Sequence, residues 1–430
     1  MRKRKSWALL GILVLGASAT AAGSGTAAAR PGAARADVKL TWWHNASADP
    51  AKSFWQKVAD EYHAAHPDVT IDVVPIQNEQ FNTKIPIALQ SDSPPDVFQQ
   101  WGGGQMAEQV KAGKLMDITQ AVAPWIGSVG PAVSNWQYAG KTYGVPYSFG
   151  IVGFWYNKTL FAKAKIASPP KTWKSFLADI AKLKAANITP IAIGGKDKWP
   201  DAFYWDYLAV RYCSQGTLVK TAVDLKFGNP CWLKAGATTQ QLLDAKPFQR
   251  GYLATPAQQG AGSSAGLVGN GKAAMELQGH WNPGVMAGLT PSGKGLGSKL
   301  GWFPFPSVPG GAGAADAALG GGDGFSCSWK APPECVDFLK FLVSKDVQTR
   351  WAALNVGLPV ARGSEGGVAD VSLKSLLKFR AKSSFIQSYL DIAYGAKVGQ
   401  ALDAAIASEF AGQLTPQKVV KTIADSAKAS

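Results

Sequence analysis

Catalytic chemistry has few possible carriers in this sequence. The chain holds four histidines, and no H-E-x-x-H or C-x-x-C pattern accompanies them. Residues 266–273 (GLVGNGKA) nearly match a phosphate-binding loop, but Ala273 occupies the position that requires a metal-binding Ser or Thr. We interpret this segment as a helical turn that leads into a strand at 274–277. The sequence therefore predicts no nucleotide site and no cofactor.

Tryptophans beside polar residues are the stronger signal. Of the 16 tryptophans, Trp43 follows the first predicted strand together with His44 and Asn45, and Trp101 follows the third, before three glycines. Ligands of open α/β sheets bind beyond the carboxyl ends of the strands, so we expect both segments at one cleft. Aromatic faces edged by a few polar groups suit the flat C–H faces and the hydroxyls of a sugar.

Further candidates lie later in the chain. Trp199 and Trp281 have polar neighbours, and residues 320–324 (GGGDG) could bring backbone close to a ligand, with Asp323 as a hydroxyl acceptor. Three tryptophans lie on predicted helical faces, where burial is the ordinary role, and we assign them to the core: Trp55, Trp173 and Trp351.

The elements that must position these residues alternate strand and helix. Periodicity predicts strands at 38–42, 69–76 and 96–100, with helices at 53–65 and 80–89. The rhythm restarts with a helix at 172–186 and a strand at 188–193. These patterns predict an α/β protein of two lobes, each a mostly parallel sheet flanked by helices, with a hinge and a helical C-terminal tail.

Composition suggests where the chain passes between the lobes. A region rich in Gly, Pro and Ala at 292–324 marks two crossings, one near each end. We predict lobe 1 at 37–145 plus 299–345, and lobe 2 at 146–298 plus 346–430.

The first 36 residues are expected to be a secretory signal and a flexible leader. Basic residues at 2–5 precede an apolar run at 8–16 that is too short to span a bilayer. Cleavage after Ala21 or after Ala36 fits an A-x-A site; we favour Ala21, and a retained membrane anchor is the alternative. Without this segment 38 Lys and Arg oppose 29 Asp and Glu, so the formal charge falls from +15 to +9. The remaining charge is spread thinly, which argues against a nucleic-acid partner.

Four cysteines in an exported chain predict disulfides. Their spacing favours Cys213 with Cys231 and Cys327 with Cys335, among three possible connectivities. Neither pair has C-x-x-C spacing, so we expect no metal or redox role.

Several short segments carry a resemblance to a known family. They are SPPDV at 93–97, GKTYGVPY at 140–147, WYNK at 155–158, PKTW at 170–173, GKAAM at 271–275 with GHW at 279–281, and GLPV at 357–360. In this order and spacing the chain resembles the family-1 extracellular solute-binding proteins, the maltose-binding-protein-like receptors of carbohydrate ABC importers. The resemblance covers nearly everything from Val38 onward. It implies two lobes that clamp a ligand and signal closure to permease subunits.

The resemblance also implies a set of binding residues and no enzyme activity. Carried over residue by residue, the family's binding positions fall on Trp43, His44, Asn45, Glu79, Phe81, Trp101, Tyr147, Trp199, Trp281, Gly321 and Asp323. Gram-positive members usually have a lipidated cysteine after the signal, whereas no cysteine precedes Cys213. We therefore expect a monomer that is periplasmic, freely secreted or held at the surface by other means.

Two alternatives stay open at this point. A secreted glycan hydrolase needs two facing carboxylates, and the sequence has many acids. A binding protein for a non-sugar solute would share the two-lobed fold.

Overall fold

The structure is a computed structural model that describes residues 37–429. Its strands are β1 (Val38–His44), β2 (Val69–Pro75), β3 (Val97–Gln100), β4 (Gln137–Tyr138), β5 (Lys141–Thr142), β6 (Val145–Ile151), β7 (Gly153–Asn157), β8 (Thr189–Ile191), β9 (Ala273–Gln278), β10 (Leu300–Phe303), β11 (Ala318–Cys327) and β12 (Ile386–Ser388). Its α-helices are α1 (Ala51–Ala65), α2 (Asn78–Ala88), α3 (Gly103–Lys111), α4 (Thr119–Val122), α5 (Lys158–Lys163), α6 (Trp173–Ala185), α7 (Trp199–Tyr212), α8 (Gln215–Asp224), α9 (Pro230–Asp244), α10 (Ser264–Gly269), α11 (Asn282–Gly288), α12 (Glu334–Leu342), α13 (Lys345–Ala353), α14 (Val371–Arg380), α15 (Leu390–Ala393), α16 (Ala396–Phe410) and α17 (Pro416–Lys428). Short 3-10 helices lie at Ile126–Trp136, Gly195–Asp197, Tyr252–Ala254, Gly297–Lys299 and Glu365–Gly367.

The larger sheet belongs to lobe 1. Its strand order is β12-β11-β3-β1-β2, and β6 also pairs with β11. β1 lies parallel to β2 and to β3, as the predicted run of alternating strands and helices requires. The first five elements end within two residues of their predicted limits.

The smaller sheet belongs to lobe 2 and has the order β10-β7-β9-β8. β8 and β9 are parallel, whereas β7 is antiparallel to both β9 and β10. The two-lobed α/β fold is confirmed, and both sheets are mixed: three of the five strand pairs are parallel in the larger sheet, and one of the three in the smaller sheet. The reason is that β7 and β10 adjoin crossings between the sheets, while parallel pairs need a helical connection.

The crossings differ in detail from the predicted lobe boundaries. β10 pairs along β7, from Leu300 opposite Asn157 onward, so it lies in the smaller sheet although the sequence assigns 299–345 to lobe 1. β12 joins the larger sheet although the sequence assigns 346–430 to lobe 2. Both strands are short and pair through backbone hydrogen bonds, which composition does not reveal. The full boundaries of the two lobes stay a prediction.

Aromatic packing forms the core of lobe 1. The Trp42 ring meets Trp55 edge-on at 5.5 Å, and Trp55 stacks on Trp351 at 4.6 Å. Trp55, Trp173 and Trp351 are all nearly inaccessible to solvent, so their predicted burial is confirmed. Rings of this size supply much of the apolar burial that holds a domain together.

Both predicted disulfides are present. Cys213 and Cys231 join the end of α7 to the start of α9, and Cys327 and Cys335 join the end of β11 to α12. Each bond fixes a loop next to a buried helix, which limits the freedom of the unfolded chain.

The glycine-rich segment before β9 is not a phosphate-binding loop. α10 precedes β9 there, whereas a phosphate-binding loop leads from a strand into a helix. The interpretation of residues 266–273 as a turn before a strand is confirmed.

The signal peptide and both cleavage sites fall on residues 1–36 and lie outside the described residues. Among residues 37–429, no helix is both long enough and apolar enough to span a bilayer.

Candidate ligand-binding cleft

A cleft of about 1240 Å³ is lined by residues of both lobes. On the lobe 1 side, residues that follow β1 and β3 reach it, as expected for the carboxyl ends of parallel strands. The residues predicted from the sequence that line it are Asn45, Glu79, Trp101, Tyr147, Trp199, Trp281 and Asp323.

Asp323 is held in place by three side chains of lobe 1. The Trp101 indole nitrogen donates to Asp323 Oδ1 at 3.0 Å, and Gln99 Nε2 donates to the same oxygen at 2.9 Å. The Tyr147 hydroxyl donates in turn to Gln99 Oε1 at 3.3 Å. Burial raises the pKa of Asp323 to about 6 although both hydrogen bonds to its carboxylate lower it. The result is a carboxyl group whose direction is fixed before any ligand arrives.

The position of the Trp101 ring is set by the backbone turn at residues 101–102 and by packing against Phe81. The Gln100 side-chain oxygen accepts from the amide nitrogens of Trp101 and Gly102, at 2.9 and 3.1 Å. Gly102 has φ of 76°, and a Cβ there would lie 2.3 Å from the carbonyl oxygen of Asn135. Phe81 packs edge-on against the indole at 5.7 Å. Glycine at 102 therefore permits the turn that brings Trp101 to the cleft.

Trp199 and Trp281 form the aromatic wall of lobe 2. Their ring centres lie 6.3 Å apart with an interplanar angle of 67°. The Trp199 indole nitrogen donates to Glu79 Oε1 at 3.2 Å, which joins α7 to α2 on the opposite side of the cleft. The Trp281 indole nitrogen is buried and has no hydrogen-bond partner among the described residues. This wall can stack on an apolar face and still offer a donor.

Carboxyl groups are the main charged groups in the rest of the lining. Asp197, Asp391 and Asp403 line the cleft, and Lys198 is the one basic residue among the described lining residues. Burial raises the pKa of Asp197 and of Asp391 to about 6. Burial, followed by the charges of Asp391 and Asp206, raises the pKa of Asp403 well above its ordinary value. These side chains can accept hydrogen bonds from hydroxyl or ammonium donors.

Four predicted residues do not line the cleft. On β1 the side chains alternate, so Trp43 packs against the cluster around Phe81 while His44 faces the core beside Trp42, 4.8 Å from its ring. His44 is 1% exposed, and burial lowers its pKa to about 3. Phe81 is fully buried under Trp101. A Cβ at Gly321 would lie 2.4 Å from the Tyr389 ring, so this glycine makes room for Tyr389.

Some lining residues were missed from the sequence. Trp351 is assigned to the core, and it is buried, but its side chain also lines the cleft. Tyr389, Asp391 and Asp403 come from the C-terminal helical region, far from the other lining residues along the chain. No local motif surrounds them. The helical periodicity of α15 and α16 also does not show that these helices lie beside the cleft.

Comparisons with known proteins agree on one class. The model of the bacterial extracellular solute-binding protein family matches residues 45–349. An ABC transporter extracellular-binding protein of Pyrococcus horikoshii, itself uncharacterised, is 26% identical over 412 residues, covering 91% of this chain and 88% of that protein. A second protein of the same description from that organism aligns over 60% of its own length.

Two further similarities come from proteins described with carbohydrates. The multiple sugar-binding protein of Streptococcus mutans is 23% identical over 327 residues, which cover 71% of each chain. A solved structure from work on xylan utilization by Caldanaerobius polysaccharolyticus has a TM-score of 0.83 at 25% identity, covering 90% of this chain and 99% of that one.

Proposed function

Because this chain belongs to the bacterial extracellular solute-binding protein family, we propose that it captures a di- or oligosaccharide in the cleft outside the cytoplasm and delivers it to an ABC import permease. Its relatives include an ABC transporter extracellular-binding protein and a multiple sugar-binding protein. The proposed binding residues are those predicted ones that line the cleft, together with Tyr389, Asp391 and Asp403.

One observation carries this proposal. Trp101 from lobe 1 and Trp199 and Trp281 from lobe 2 line the same cleft, beside the fixed carboxyl group of Asp323. Aromatic rings stack on the C–H faces of sugars, and a fixed acceptor binds a hydroxyl at their rim. Several rings in one cleft suit a ligand with more than one sugar ring.

Closure of the lobes is the proposed signal to the permease. The hydrogen bond from Trp199 to Glu79 connects the two sides of the cleft. A ligand can shift an open and a closed form only through contacts that differ between them. A sugar stacked between Trp101 and Trp199 would make such contacts in the closed form alone.

Isothermal titration against a panel of mono-, di- and oligosaccharides tests the proposal. Trp101→Ala and Trp199→Ala should each weaken binding by roughly tenfold to a hundredfold, since a stacked ring contributes about 1.5–3 kcal/mol. Trp329→Ala is the matched control, because this tryptophan is 44% exposed and lies outside the cleft. Failure of every sugar to bind would refute the function.

A hydrolase would share an aromatic cleft with carboxyl groups, so turnover must be measured as well. Incubation of the protein with a bound oligosaccharide should release no new reducing ends. Steady release would contradict the proposal of a receptor without enzyme activity. Mass spectrometry of the exported protein would decide between cleavage after Ala21 and after Ala36, and light scattering would test the proposed monomer.

A further inference from the structure

The cleft is acidic in a chain that is basic overall. Asp49 accepts from the Ser53 amide at 3.0 Å near the start of α1, and five further carboxyl groups line the cleft. These are Glu79, Asp197, Asp323, Asp391 and Asp403. Within residues 37–429 none of the five forms an ion pair with Lys or Arg. Across the whole sequence, in contrast, 44 Lys and Arg outnumber 29 Asp and Glu.

Several acceptors in this acidic lining have no partner. Glu79 Oε2 and Asp403 Oδ1 are buried atoms without a hydrogen bond among the described residues. The Tyr389 hydroxyl, on a side chain that is 8% exposed and lines the cleft, also lacks a partner. The charges of Asp323 and Asp391 both act on Tyr389 and, after burial, raise its pKa. Buried polar atoms are normally paired, so this group of side chains fits a ligand that supplies donors.

We propose that the ligand carries a positively charged amino group, so that the receptor selects an amino sugar or a short oligosaccharide of amino sugars with free amines. This inference rests on the proposed function and names the substrate class of the same cleft. A neutral hydroxyl supplies one donor and no charge. An ammonium group supplies three donors. It also supplies the positively charged partner that Glu79, Asp391 and Asp403 lack within the described residues.

The buried carboxyl groups favour a cation for a second reason. Asp206 and Asp391 raise the pKa of Asp403 in addition to burial, because neighbouring carboxylates repel one another. Lys198 opposes that shift only in part. A ligand cation among them would stabilise their ionised forms. A neutral sugar would leave that repulsion in place.

Matched ligands at neutral pH test the proposal by isothermal titration. The free-amine chitosan disaccharide, its N-acetylated form and cellobiose share one β-linked glucose skeleton and differ in the amine, the acetamide and the hydroxyl. Glucosamine against glucose and galactosamine against galactose extend the comparison to single rings. The amine of each set should bind at least about tenfold more tightly than its neutral partner. The preference should shrink as salt is added.

Charge-removing variants test the residues. Asp403→Asn and Asp391→Asn should each reduce the preference for the amine by about tenfold, with a smaller effect on the neutral partner. Glu79→Gln on the other lobe provides a variant that does not depend on packing of the C-terminal helices. Asp244→Asn is the control, because it removes one charge from an exposed position outside the cleft.

The outcomes separate this inference from the proposed function. Neutral or acetylated sugars that bind as tightly as the amines, or more tightly, would overturn the amine proposal and leave the sugar receptor standing. Absence of binding by any carbohydrate would overturn both. An amine preference that persists unchanged in all three cleft variants would overturn the assignment to these carboxyl groups.

Discussion

Glu276 on β9 should make the stability of this protein depend on pH. Its side chain is 1% exposed, and burial raises its pKa from 4.5 to about 8. Asn282 Nδ2 donates to Glu276 Oε2 at 3.0 Å, and the Ser264 hydroxyl contacts Oε1. The Ser264 hydroxyl also lies 3.1 Å from the Ala257 carbonyl oxygen, so a protonated Glu276 can donate to Ser264 while Ser264 donates to Ala257. The network is satisfied with a neutral carboxyl group.

The sign of the effect follows from proton binding. Between pH 4.5 and about 8 the folded chain retains a proton on Glu276 that the unfolded chain has released. Stability from this group is therefore fully present below pH 4.5, falls by about 1.4 kcal/mol per pH unit, and is lost above about pH 8. Glu276→Gln removes the titration and can keep both hydrogen bonds, because its amide nitrogen can donate to Ser264. From pH 5 to pH 8.5 the variant should gain about 4 kcal/mol relative to the wild type.

Urea unfolding followed by tryptophan fluorescence at pH 5, 6.5, 7.5 and 8.5 measures this difference. Glu108→Gln is the control, since it removes the same charge from an exposed glutamate on α3. Other buried carboxyl groups titrate equally in both proteins and cancel in the comparison. Parallel pH profiles for the wild type and Glu276→Gln would refute the reasoning, because they would mean that Glu276 is ionised in the folded state.

Three further predictions concern stability, each measured by urea unfolding. The buried Arg211 guanidinium donates to four backbone carbonyls between residues 305 and 317, so Arg211→Met should cost about 3–5 kcal/mol. Gly102→Ala should cost about 2–3 kcal/mol and weaken ligand binding through Trp101, whereas Gly113→Ala, with φ of 68° and no atom near its Cβ, should cost about 1 kcal/mol. Replacing both cysteines of the α7–α9 disulfide, with a separation of 18 residues, should cost about 3 kcal/mol, and those of the β11–α12 disulfide, with 8, about 2.5 kcal/mol. Equal costs for the two glycine variants, or no cost for Arg211→Met, would contradict the packing described.

Much of the fold was predictable because local patterns govern it. The helix at 53–65 places Val58 and Tyr62 on one buried face, and β1 before it buries alternate residues such as Leu40 and Trp42. The disulfides followed from spacing within short loops. The sheets that β10 and β12 join could not be predicted, because each strand has only three or four residues and its pairing depends on distant partners.

The candidate site was predictable where it follows strand ends. Asn45 and Trp101 were placed at the cleft by the rule that ligands bind at the carboxyl ends of parallel strands. The same rule also predicted His44 at the cleft. Its side chain instead lies on the face of β1 that it shares with Trp42, and that face packs into the core. Asp391 and Asp403 reach the cleft through tertiary packing of α15 and α16, for which the sequence holds no local signal.

Glu276 and Asp403 show how similar pKa shifts can accompany different roles. Burial raises the pKa of both carboxyl groups, so ionisation of either one in the folded chain lowers stability. The oxygens of Glu276 contact Ser264 and Asn282; Ser264 also donates to the Ala257 carbonyl beside the cleft segment at 258–260, and Asn282 follows Trp281. Asp403 has an oxygen without a partner and carboxyl neighbours that repel its charge. Glutamine can replace Glu276 at no loss of hydrogen bonding, whereas a cation from outside the chain is what would satisfy Asp403.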